Sequence, residues 1–107
     1  MKQSELARAM LAAVRESLGD DWKDAKDWAT PEIQRMARVL VDIGKLVTQE
    51  KITPAEAKVL LRIHRNTMQT IMLTVKGLGL LATENAVNAA IDAIRDVVNG
   101  AVGFRLV

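Results

Sequence analysis

Between Pro54 and Asn99-Gly100 no proline interrupts a helical pattern, and Gly77 and Gly79 stand near the middle of that stretch. Read as one unbroken helix, its roughly 45 residues would run about 68 Å at 1.5 Å per residue. A compact globule of this chain length would be only about 26 Å across on radius-of-gyration scaling. Either the helix breaks at Gly77-Leu78-Gly79, or it projects from its own domain and needs a partner for its apolar faces.

The polar positions discriminate between these outcomes. Lys58, Arg62, Arg65, Gln69 and Lys76 lie within a narrow arc. Glu84, Asn88, Asp92, Arg95, Asp96 and Asn99 cluster about 120° away when one ideal helix is drawn through both sets. The wet face changes across the two glycines, and a glycine in a helix interior is about 1 kcal/mol worse than alanine. A break or kink, with Gly77 and Gly79 as hinge residues, is the expectation.

The rest of the chain also reads as helix. Aromatic residues are only 3% of the 107, hydrophobic residues are 50% and charged residues 26%. That balance suits one ordered domain over residues 1–107 and favours helix formers over strand formers. Ser4 is placed to cap a first helix carrying Leu6, Met10, Val14 and Leu18 at helical spacing, with Gly19 as its stop. In DDWKDAKDWA, residues 20–29, a short helix capped by Asp20 or Asp21 would place Trp22, Ala25, Trp28 and Ala29 on one arc, the two tryptophans pinning it to the longer helices. Thr30-Pro31-Glu32 is a start signal, followed by Ile33, Met36, Ala37, Leu40, Ile43 and Val47 on one face. Thr53-Pro54-Ala55-Glu56 is a second start, with the spacing of a capping box. The predicted fold is therefore an all-α helical bundle. It consists of an N-terminal helix, an antiparallel hairpin of about 31–50 and 54–80, and a long or glycine-kinked C-terminal helix.

Little in the chain points to chemistry. There is no cysteine, which excludes disulfides, thiolate metal sites and a thiol nucleophile. His64, the single histidine, has no carboxylate three or four residues away, so it reads as a core-edge residue rather than a base or ligand. Asp20, Asp21, Asp24 and Asp27 do not follow the alternating spacing of a calcium loop, and Lys23 and Lys26 lie among them. GLG at 77–79 has part of a dinucleotide fingerprint but no strand before it and no third glycine. No enzyme, metal or cofactor is expected.

Three kinds of surface are consistent with the residues. The alanine-rich face of Ala82, Ala86, Ala89, Ala90, Ala93 and Val97, with Phe104 in the apolar tail, is narrow enough to let another helix approach closely. This face predicts self-association through residues 71–107, and with it a homo-oligomeric adaptor or structural subunit open to a protein partner. As an alternative, Lys58, Arg62, Arg65 and Lys76 form a basic stripe that could contact nucleic acid, although a net charge of +2 is small for that role. As a second alternative, the apolar run Ile71–Ala82 could touch a membrane peripherally, but it falls short of the roughly twenty residues needed to span one. A small ligand among His64, Met68 and Met72 is a further option that no sequence pattern can reveal. The N-terminus lacks the apolar run of a signal peptide, and a cytoplasmic location is expected.

Overall fold

The computed structural model describes residues 1–75 and 77–107, and among these there are helices and turns but no strand. Helix α1 spans Gln3–Leu18, a 3-10 turn Gly19–Asp21 follows, and α2 spans Trp22–Thr48, α3 Pro54–Met72 and α4 Leu80–Val102. Successive helices run antiparallel. The most extensive contact is between α1 and α4; α2 packs on α1 and on α3, and α3 meets α4 only lightly. Thus α1, α2 and α4 form a trunk, and α3 is fastened to it chiefly through α2.

Two of the expected boundaries are present for the expected reasons. Gly19 ends α1 with φ 55°, a conformation glycine enters freely. Thr53 caps α3 in a complete capping box: its hydroxyl accepts the Glu56 N–H at 3.1 Å, and Glu56 Oε1 accepts the Thr53 N–H at 3.0 Å.

Several expectations need correction. The separate short helix at 20–29 and the start at Pro31 do not occur, because α2 continues through Pro31. Its buried stripe of Ala25, Ala29, Ile33, Met36, Ala37, Leu40 and Ile43 runs without interruption past the proline, which itself faces solvent. Proline removes one backbone donor and crowds the preceding turn; continuous burial on the opposite face outweighs that penalty. Trp22 packs against the core, but Trp28 is 53% exposed and pins nothing. Ser4 lies inside α1, whose cap position is Lys2 and has no side-chain cap bond. The last helix runs past Gly100 and stops at Gly103, where φ is 82° and the N–H returns to Asn99 O.

At the central glycines the chain breaks. α3 ends at Met72, eight residues short of the expected 80, and α4 begins at Leu80. Gly77 takes φ 85°, open to glycine and strained for other residues, and Gly79 is extended at the N-cap of α4. The reversal returns α4 against α1 and keeps the Cα envelope to 42 × 22 × 19 Å.

The core is built from all four helices. Leu6, Met10, Val14, Ile33, Met36, Leu40, Met68, Met72, Val87, Ile94 and Val98 are almost wholly buried. Methionine adapts to irregular gaps, and Met10, Met36, Met68 and Met72 are all fully buried in this core.

Candidate functional site

The alanine-rich face of α4 is divided between the inside and the outside of the molecule. Ala86 and Ala90 are fully buried in the intrachain core, Ala82 and Ala89 are half-buried, and Ala93 and Val97 are exposed. Ala86 and Ala90 are therefore corrected as docking residues, since the face they lie on is covered within the same chain. Periodicity identified the stripe but could not identify its neighbour. Phe104 is half-buried at the far end of α4, with Lys58 Nζ 6.0 Å from its ring centroid.

The tail is held by Asn99. Its Oδ1 accepts the N–H groups of Leu106 at 2.9 Å and Val107 at 3.0 Å, and its Nδ2 donates to Val107 O at 3.1 Å. Leu106 is thereby drawn into the core.

His64 is engaged across helices. Arg35 Nη1 donates to His64 Nδ1 at 2.9 Å, and Arg35 is itself held by Glu32 Oε2 at 2.9 and 3.0 Å. A guanidinium can only donate, so this geometry places the neutral ring's proton on Nε2. That is the reverse of a catalytic imidazole, whose Nδ1–H is held by an acceptor. Glu32, Arg35 and His64 thus act as a polar rivet between α2 and α3. Met68 and Met72 are fully buried in the core rather than lining an open pocket with His64.

The basic residues do not make a free stripe. Arg65 Nη2 donates to Asn88 Oδ1, Lys58 leans over Phe104, and Arg62 is exposed. Lys76 lies outside the described residues. Among the described residues no group of three His, Asp or Glu side chains converges as a metal site would require.

The apolar surface that the chain leaves uncovered lies elsewhere. Leu73, Leu80 and Leu81 are 40%, 56% and 70% exposed around the break between α3 and α4, while Leu78 and Val75 beside them turn inward. The same corner holds Asp21 and Asp24, which line a small cleft with Val75, Gly77 and Leu78. Val59 and Ile63 form a second, narrower exposed strip on the outer side of α3. Sequence reading marked Ile71–Ala82 as an apolar run without separating its inner side chains from its outer ones. The leucine corner was missed because hydropathy alone cannot tell a buried run from a reversal whose outer residues face water.

At the other end of the bundle is a hollow of about 390 Å³, with Val47, Ile52 and Phe104 among its apolar walls and Glu50, Lys51 and Glu56 as its charged ones. No helix among the described residues is long and apolar enough to cross a membrane. No family model, curated protein or solved structure matches the chain.

Proposed function

We propose that the chain is a non-enzymatic assembly subunit, a small helical bundle that associates with copies of itself through its C-terminal half and acts in the cytoplasm as an adaptor or structural element. The observation that carries this reading is the leucine corner. Three large side chains from residues 73–81 stand in water although a full core lies alongside them, and contiguous exposed apolar surface is the usual mark of an interaction site. The surface shifts from the alanine stripe to Leu73, Leu80 and Leu81, within the same half of the chain.

The measurement is solution mass from micromolar to millimolar protein. Association that weakens when Leu81 is replaced supports the reading, and a monomer at every concentration overturns it. The leucines also make a peripheral membrane reading worth one experiment. Flotation with neutral and anionic vesicles tests it, and the nearby carboxylates Asp20, Asp21 and Asp24 predict exclusion from the anionic ones.

A further inference from the structure

Helix α3 depends on α2 for its place. Among the described residues it packs chiefly on α2, meets α4 only lightly and does not approach α1. The polar part of the α2 seam is the cluster of Glu32, Arg35 and His64. The side chains of Arg35 and Glu32 are 23% and 13% exposed and His64 is half-buried, so the bonds among them are partly shielded from water. Arg35 Nη1 donates to His64 Nδ1 at 2.9 Å, whereas Nη2 reaches the His64 carbonyl only at 3.4 Å. The ring nitrogen is therefore the stronger of the two ties to α3.

That tie exists in one protonation state. A neutral imidazole offers a lone pair at one nitrogen, and a protonated one offers none. When Nδ1 takes a proton from water, a second N–H donor and a second positive charge stand against the guanidinium where the bond was. The surrounding groups do not offset this. On α2, Glu32 grips Nε and Nη2, a different edge of the guanidinium from the Nη1 that meets the ring, so its carboxylate does not face the incoming proton. Arg38 adds a cation one turn from Arg35, and on α3 itself Arg62 and Arg65 lie within two residues of the ring. On α4 the group at this level is the neutral Asn88, which accepts from Arg65. Glu84 and Asp92 lie one turn to either side of Asn88, and Asp92 is already paired with Arg95 at 2.7 Å.

We infer that Glu32, Arg35 and His64 form a proton-operated latch: the neutral ring holds α3 to α2, and in mild acid protonation of His64 releases the tie and lets α3 open from the bundle. The open form carries one proton more than the latched form, so opening is favoured as pH falls, over the range of about pH 5 to 8 in which imidazoles titrate. Opening bares the inner face of α3, where Ala57, Leu61 and Met68 are buried. The latch works within one chain and stands independently of the association proposed above.

The test follows amide hydrogen exchange of the full chain at about pH 7.5 and about pH 5.5, the range in which an imidazole changes charge. Each rate is divided by the free-peptide rate at the same pH, with α1 and α4 as internal reference. Protection of α3 is expected to fall about tenfold relative to α1 and α4 on acidification, the factor carried by one charge-assisted hydrogen bond. In His64→Asn the amide Oδ1 stands where Nδ1 stood and accepts from Arg35 without titrating, so α3 protection should be the same at both pH values. Arg35→Met removes the donor, so α3 protection should be low already at the higher pH and change little on acidification. The α1 and α4 amides report in each variant whether the fold is intact, and where one variant fails to fold the other decides. The latch is overturned if α3 keeps its protection in acid, if α1 and α4 lose theirs in step with it, or if either folded variant shows the same fall as the unaltered chain.

Discussion

Glu50 carries φ 56° two residues past the end of α2, where its N–H returns to Val47 O and the N–H of Lys51 to Leu46 O. This is the pattern of a helix end that usually places glycine at the left-handed position. A side chain there is strained by about 1 kcal/mol, so Glu50→Gly should raise stability by about that amount in urea unfolding. Thr83 is the converse case, fully buried in α4 with a hydroxyl that finds no partner. An unmet buried polar group costs about 1–3 kcal/mol. Thr83→Val, nearly the same shape without the hydroxyl, should stabilise, and a midpoint that falls would show that the hydroxyl is satisfied after all. Neither residue announced itself in the sequence. A left-handed glutamate looks like any surface glutamate, and a threonine in a helical pattern gives no sign of what faces it. Glu56 did announce itself, because the capping box is wholly local. Its carboxyl is held below the ordinary 4.5, first by the backbone N–H of Thr53 and second by the Thr53 side chain. The group therefore favours folding above that ordinary value and loses its contribution as pH falls through its lower folded-state value. Glu56→Gln keeps the box without the titration, so the stability difference from the unaltered chain should shrink in acid.

At the scale of elements, the clearest lesson is α2. Thr30-Pro31-Glu32 has the local chemistry of a helix start, which is all that three residues can convey. The buried stripe from Ala25 to Ile43 decides otherwise, and it becomes visible only when α1 and α3 are in place to cover it. Pro31→Ala should then stabilise the fold, by up to about 3 kcal/mol if the helix relaxes fully, read as a rise in melting temperature. The break at Gly77–Gly79 was legible because the wet face rotates there, a signal carried by the sequence itself. Which face of α4 is free was not legible, since it depends on α1. A paired test follows: Ala90→Glu should unfold the bundle, and Ala93→Glu, three residues on and exposed, should leave helicity intact by circular dichroism. The polar rivet was equally hidden, since Arg35 and His64 are 29 residues apart. Because α3 meets α4 only lightly, its amides should exchange faster than those of α1 and α4.

The whole molecule is elongated, apolar inside and charged differently at its two ends. All-α architecture followed from composition and period, and the four helices with their glycine break account for most of the fold. The end-to-end asymmetry needed the topology, because the acids of residues 20–27 and Glu84 are far apart in the chain and meet only through antiparallel packing. Exposed side chains at the ends should matter little to folding. Leu81→Lys and Lys51→Glu should each move the urea midpoint by no more than about 0.5 kcal/mol equivalent, and a larger shift would show that these side chains serve the fold rather than its surface.

Asn99 presents two acceptances and one donation to the backbone of Leu106 and Val107, as a neighbouring strand would do with its main chain. Residues just past a helix end ordinarily fray, and their amides exchange almost at once. Here two amide protons are tied to a side chain in the last full turn of α4, so their release requires α4 to let go. In a hydrogen-exchange experiment they become a clock for the opening of that helix, and Asn99→Ala should reset the clock to the rate of a free peptide.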